Sequence, residues 1–349
     1  MSPSKDMPFA QKQLLEREQQ LAVWAAAQLA VGEVKLTPVS GDASFRRYFR
    51  IFQNNGKTLI AVDSPPQQED NQAFFQIAML LKKYHLNVPE FIHCNFEDGF
   101  LLISDLGDEL LLPALNEHSV DNLYSQAIDV LIQFQQIPAI DYDNLPAYDA
   151  TLLEFEMSLF RDWFVDKHLK LQLTTEEERV IESTFDLLTI NALEQPQSLV
   201  HRDFHSRNLM ILKDKSLAII DFQGAVNGPV SYDLVSLLKD CYIQWPEPKV
   251  REWSHEYWQR AIEAGLLEMP FEDFYQYFEW MGMQRHIKVL GIFCRLFYRD
   301  KKSSYLNDLP LTFQYLEDAA KRYPEFKRFT QLLTNKIAPA LAIKSRGKN

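Results

Sequence analysis

Asp203, Asn208 and Asp221 stand close together in the sequence, and all three carry hard oxygen atoms. Phosphoryl transfer needs such a set. Magnesium bound to a nucleotide prefers carboxylate and amide oxygens, and Asn208 and Asp221 can supply them. The accepting hydroxyl needs a carboxylate that orients it and takes its proton. Asp203 fits that part, and His201 reads as a hydrogen-bonding brace for the loop rather than as a base.

The surrounding pattern gives these residues a frame. Leu199–Val200 is a short apolar run that breaks into the polar stretch His201–Asn208. Leu209–Leu212 and Leu217–Ile220 then read as two short strands around the Lys213–Lys215 turn, with Asp221 at the end of the second. Strand, loop, hairpin and carboxylate in that order can bring the three groups to one mouth.

Upstream, residues 9–30 read as a helix ending near Gly32. Lys35–Val39, Phe45–Phe52, Thr58–Val62, Glu90–Cys94 and Phe100–Ser104 read as strands, with an amphipathic helix over Asp70–Tyr84. Asn55-Gly56 suggests a tight hairpin turn with positive φ at both central positions. Beyond residue 108 the periodicity is helical over 119–136, 150–168, 175–194, 231–243, 249–265, 271–297 and 325–342. A β-rich region over residues 1–104 and a helical region over 105–349 follow.

His-Arg-Asp-x-x-x-x-Asn followed by Asp-Phe resembles the catalytic loop and metal motif of protein kinases. The wider form, His-x-Asp-x-His-x-x-Asn with Ile-Asp-Phe, is more similar to the aminoglycoside phosphotransferase and choline kinase superfamily. His201–Met210, Asp221–Ala225 and Gly228–Leu234 further resemble bacterial cell-wall sugar kinases acting on the anomeric hydroxyl of N-acetylmuramate and N-acetylglucosamine. The resemblance implies an α+β, bilobal kinase-like fold that uses ATP and Mg2+. It also implies a role in peptidoglycan recycling, with a small amino sugar as partner.

The same resemblance points to two nucleotide segments. Ser40–Tyr48 would cover the phosphates; it has one glycine, so Ser44, Arg46 and Arg47 are its candidate phosphate donors. Leu101–Gly107 would join the lobes, with Ser104 offering a carbonyl and Leu106 an amide to adenine. A kinase normally carries a strand lysine paired with a helix glutamate. The strand Leu59–Asp63 has none in its body, so an arginine from residues 41–50 is a candidate replacement.

For the acceptor, the polar candidates near the catalytic mouth are His205, Arg207, Asp240 and Tyr242, with Asp233 bracing the loop. Arg285 begins a basic stretch and is the candidate partner for the lactyl carboxylate of N-acetylmuramate. The aromatics of Phe271–Trp280 read as core.

The chain has 349 residues, 36 basic and 48 acidic, for a formal charge of −12. That balance argues against nonspecific nucleic-acid or anionic-membrane binding. Cys94, Cys241 and Cys294 suggest reduced thiols rather than a disulfide framework. Leu21–Val31 is apolar but lacks a basic leader, so neither a signal peptide nor a membrane span is expected. A cytoplasmic enzyme with no obligate protein partner is the expectation. Kinases for choline, an amino alcohol or an aminoglycoside remain alternatives, as does a nucleotide-binding regulator without catalysis. Gly228-Pro229 follows Asp221 too soon for a protein-kinase activation loop.

Overall fold

The computed structural model describes residues 9–39 and 45–346, which group into two compact units. One unit runs to Glu109 and takes in Met210–Gln223; the other holds Leu110–Leu209 and the chain from Gly224.

The first unit is built on an antiparallel sheet. Its strands are β1 (Thr37–Val39), β2 (Arg47–Phe52), β3 (Thr58–Asp63), β4 (Phe91–Asn95) and β5 (Phe100–Ser104), in the order β1-β2-β3-β5-β4. Alternation along the strands sends Phe49, Ile51, Ala61, Phe100 and Leu102 to one face. The leading helix α1 (Phe9–Gln28) covers that face with Leu21 and Ala25. Helix α2 (Asn71–Lys83) starts on Asp70, whose carboxylate accepts from the Ala73 N–H. Its Phe74 packs against Phe91 and Phe222.

The turn between β2 and β3 differs from expectation. Gly56 alone adopts a positive φ, +78°, and its N–H donates to Gln53 O at 3.0 Å. The loop therefore spans Asn54, Asn55 and Gly56, a type I turn closed by a left-handed glycine rather than a two-residue turn.

The second unit opens on the short helix α3 (Leu111–Ala114), is mostly helical and centres on α9 (Phe271–Asp300), in which every residue from Phe278 to Gly291 is buried. Helices α4 (Val120–Gln135), α5 (Ala150–Leu159), α6 (Thr175–Glu194), α7 (Tyr232–Leu238), α8 (Glu247–Glu263) and α10 (Leu309–Arg322) surround or support it. Thr174 and Glu177 form a capping box at the start of α6. A short antiparallel pair joins β6 (Gln197–Val200) to β9 (Val226–Pro229); the expected hairpin of β7 (Leu209–Ile211) and β8 (Leu217–Ile219) falls, from Met210 on, in the first unit.

Several expected spans change. The helix over 150–168 becomes α5 followed by a π-helical stretch, Phe160–His168. At that junction α9 presents Gly291, where a Cβ would lie 2.3 Å from the Leu159 carbonyl carbon. Only glycine lets the two backbones approach this closely, and the widened turn begins there. The helix expected over 231–243 ends at Leu238. The span expected over 325–342 is broken into α11 (Lys327–Leu332), a π-helical turn and α12 (Ala338–Arg346). Strand β9 and helix α10 were not foreseen. β9 carries Gly228 and Pro229, which argue locally for a turn, yet its pairing with β6 makes it a strand.

One buried carboxylate ties α1 to the sheet. Asp63, with its side chain 1% exposed, accepts from Arg17 Nε at 2.8 Å and from Arg47 Nε at 2.9 Å, one arginine on each oxygen. Arg47 also donates to Leu14 O at 2.9 Å. Removing one partner of a buried pair leaves the other charge uncompensated. Because both arginines retain some solvent, we expect Asp63→Ala to cost about 2 kcal/mol rather than the full 3–5 of a buried pair. Urea unfolding measures the loss, and faster hydrogen exchange in α1 should accompany it.

Candidate functional site

In the first unit, Asp221 follows β8 with φ +63°, a conformation that disfavours side chains. The next residue, Phe222, is fully buried, its ring tilted against Phe74 at 5.3 Å. Burial of the ring fixes the backbone, and the adjacent carboxylate remains exposed. Gln223 Nε2 donates to Asp221 Oδ1 at 2.7 Å.

Arg47 opens β2 and Arg46 immediately precedes it, and the two candidate arginines turn to different partners. Arg47 turns to Asp63 and α1. Arg46 is 3% exposed and pairs with Glu69 at 3.3 Å. Its Nε donates to Ser64 Oγ at 3.0 Å, and its guanidinium lies over the Phe74 ring at 4.6 Å. Tyr48 shares this surrounding. Burial pushes its phenol up to about 12; Arg46 opposes the rise, and Asp221 and Glu69 add to it. Arg46, Glu69, Tyr48 and Asp221 thus form one electrostatic neighbourhood. The Arg46–Glu69 pair makes the kind of cation–carboxylate contact that a kinase makes with its strand lysine, whereas Arg47 is committed to holding α1.

Ser44 lies outside the described residues. Ser104 ends β5; its N–H donates to Glu90 O at 2.8 Å and its Oγ accepts from the Glu90 N–H at 2.8 Å. Leu106 is half-buried in the following segment. Arg50 clamps that segment, donating to Asp105 at 2.6 and 3.0 Å, to Asp108 at 2.9 Å and to Gly107 O at 3.2 Å. Gly107 takes φ +98°, which explains the glycine there.

In the second unit, the loop carrying Asp203 is held by two aspartates. Asp233, fully buried, accepts from the His201 N–H at 2.6 Å and the Arg202 N–H at 3.0 Å. Burial raises its carboxyl to about 7 against the pull of those two donors. Asp240 accepts from the Ser206 N–H at 3.0 Å and Oγ at 2.5 Å, and from the Tyr242 N–H at 3.0 Å. Asp233 therefore braces the loop as expected. Asp240, expected near the acceptor, is occupied with the same kind of bracing because its oxygens serve Ser206 and Tyr242.

Asn208 Nδ2 donates to the Asp203 carbonyl at 3.0 Å, which commits the amide nitrogen to the loop backbone. Asp203 keeps a solvent-open carboxylate within crowded surroundings. Burial alone would raise its pKa; Lys288, then His205, Arg285 and Arg202, outweigh that and hold it at about 2. Arg285 is buried, donating to Ser236 Oγ at 2.7 Å with Cys241 Sγ at 3.5 Å. Its charge reaches Asp203, but its contacts lie elsewhere. Arg207 stacks on the Tyr242 ring at 3.5 Å, and His205 meets the same ring edge-on at 5.4 Å.

Below the loop lies a network the sequence reading missed. Glu156 of α5 is 3% exposed and accepts from Arg202, from Lys288 at 3.0 Å and from the Tyr148 hydroxyl. Lys288 also donates to Tyr232 OH at 2.9 Å. Lys288 stands three residues after Arg285, and that helical spacing was the available signal. Glu156 gave no local sign, because its partners come from α9 and the catalytic loop.

A profile of the phosphotransferase enzyme family matches residues 35–271. The N-acetylmuramate/N-acetylglucosamine kinase of Pseudomonas aeruginosa is 44% identical over 308 residues, covering 87% of this chain and 90% of the relative. The enzyme of the same description in Pseudomonas putida is 41% identical over 337 residues, covering 93% and 98%. Among solved structures, an ethanolamine kinase of Plasmodium vivax has a TM-score of 0.61 at 11% identity, covering 84% of each chain. The last likeness concerns the fold, and it agrees with the α+β, kinase-like expectation.

The brace at Asp233 is open to test. Asp233→Ala would orphan two buried N–H donors, each worth about 1–3 kcal/mol, while relieving the burial of a carboxyl. We expect a net destabilisation of about 2 kcal/mol by urea unfolding, with Asp233→Asn falling between this variant and the parent.

Proposed function

The chain belongs to the phosphotransferase enzyme family, and on that premise we propose that it transfers the terminal phosphoryl group of ATP to the anomeric hydroxyl of N-acetylmuramate or N-acetylglucosamine. The observation that carries the chemistry is Asp203: a solvent-open carboxylate on a braced loop, kept ionised by surrounding cations. The sugar assignment draws on the relatives' acceptors and on the residues flanking the loop. Cations around Asp203 also suit a neutral or anionic acceptor better than choline or an aminoglycoside.

Asp203 orients the acceptor hydroxyl and receives its proton as the new bond forms. A carboxyl near 2 is a weak base, so its main contribution is orientation. A loose phosphoryl-transfer transition state tolerates this, since little proton transfer is needed before the phosphorus–oxygen bond breaks. The anomeric hydroxyl, more acidic than an ordinary alcohol, eases the step further. Arg46, with Glu69 fixing its guanidinium, would pair with nucleotide phosphate oxygens.

The donor set fits magnesium. Asn208 has its amide nitrogen engaged by the Asp203 carbonyl, which leaves the oxygen as its ligand atom, and Asp221 offers an exposed carboxylate. Both are hard ligands of the kind this ion takes, and bound there it would neutralise charge on the phosphates. A cytoplasmic setting, where ATP is abundant, belongs to the same proposal. Among the described residues no helix is long and apolar enough to cross a membrane.

Two outcomes test this reading. A coupled ADP assay over a sugar panel, with the product's phosphate position fixed by phosphorus NMR, should give the 1-phosphate of one or both amino sugars. Turnover of only other hydroxyl compounds would reject the substrate. In the same assay Asp203→Asn should lower kcat by about 10²–10⁴-fold with MgATP binding retained. Separately, Arg46→Ala should raise the KM for ATP on the order of tenfold through loss of a charge-assisted contact, whereas Arg47→Ala should act chiefly on stability. Equal ATP kinetics in both variants would remove Arg46 from the phosphate site.

A further inference from the structure

One face of α9 carries Arg285, Lys288, Ile292 and Arg295, spaced at three, four and three residues, so the four lie along a single stripe. The first two are buried and have partners. Arg285 donates to Ser236, and Lys288 donates to Glu156 and Tyr232. Both act electrostatically on Asp203.

Arg295 is different. It is half-buried, its Nε is shielded from solvent, and among the described residues nothing accepts a hydrogen bond from that atom. Asp300 and, after it, Glu156 are near enough for their charges to act on Arg295. Glu156, however, is already occupied by Arg202, Lys288 and Tyr148. The neighbouring cation, Arg299, is bound to Asp300 at 2.8 and 2.9 Å. Burial, followed by Arg299, lowers the Arg295 pKa, so the site disfavours the charge it contains. A partly desolvated guanidinium without a contacting acceptor is destabilising until an anion meets it.

We propose that Arg295 receives the carboxylate of an acidic acceptor sugar and so favours N-acetylmuramate over N-acetylglucosamine. The inference rests on the sugar-kinase reading above. The two sugars differ in the lactyl ether, which is carried on C3, two ring carbons from the anomeric carbon, and ends in a carboxylate. Lys288, whose charge reaches Asp203, and Arg295 are seven residues apart, about 10 Å along the helix axis. A hexose with its lactyl arm is of similar length. With the reacting hydroxyl at Asp203, the carboxylate would extend toward the Arg295 end of the stripe. Arg285, the candidate from sequence, has its guanidinium turned to Ser236 and Cys241.

The test is the ratio of kcat/KM for N-acetylmuramate to that for N-acetylglucosamine, measured in the parent and in Arg295→Gln and Arg295→Lys. Each protein acts as its own control for folding. The ratio should fall about tenfold or more in Arg295→Gln, in line with loss of a charge-assisted contact, and by less in Arg295→Lys. An unchanged ratio, or a rise in the KM for ATP with the ratio intact, would overturn the inference. If the variants do not fold, the parent enzyme decides with the carboxamide of N-acetylmuramate. A comparable rise in KM supports the assignment, and equal KM values overturn it. A parent that turns over neither amino sugar would remove the proposed substrate class and this inference with it, a result distinct from an unchanged ratio.

Discussion

The backbone of residues 201–208 belongs to no helix and no strand; the N–H groups of Asp203, His205 and Asn208 find acceptors within the loop, but those of His201, Arg202 and Ser206 need them from outside it. Asp233 and Asp240 provide them, together taking the N–H groups of His201, Arg202 and Ser206. Their burial is unfavourable, as the raised carboxyl of Asp233 shows. It is tolerated because without the two carboxylates these N–H groups would go unpaired. Once the backbone is fixed, Asp203 can point to solvent without the loop collapsing around it, and Asn208 can be oriented by the Asp203 carbonyl.

A second layer of order comes from Glu156. It joins α5, α9 and the loop through Arg202, Lys288 and Tyr148. A single carboxylate between two cations leaves excess positive charge beside Asp203, which keeps that carboxyl ionised despite its crowded surroundings. The same arrangement explains why α9 carries charged residues in its buried middle. They belong to a network in which each partner is supplied by a different element.

The sequence made some of this legible and hid the rest for identifiable reasons. Asp203, Asn208 and Asp221 are recognisable because their spacing is local and their chemistry is shared by a large family. The sheet and most helices follow from periodicity. Arg46 and Arg47 could not be ranked, since their difference lies in which way each turns at the start of β2 and in what waits there: Glu69 for one, Asp63 for the other. Asp240 read as an acceptor ligand because it sits among aromatics, and only the fold reveals Ser206 on its carboxylate. Glu156 and the close approach of Gly291 to Leu159 depend wholly on tertiary contact, which no window along the chain contains.

Arg202 and Asp221 both adopt positive φ, +75° and +63°, without being glycine. Each such residue carries roughly 1–2 kcal/mol of conformational strain. Glycine would relieve it at either position, and selection for stability alone would favour that exchange. At 202 it would delete the guanidinium that engages Glu156; at 221 it would delete the carboxylate itself. These positions therefore mark where thermal robustness and activity pull in opposite directions. A stabilised variant found by screening for heat tolerance alone would be expected to accumulate its losses there first.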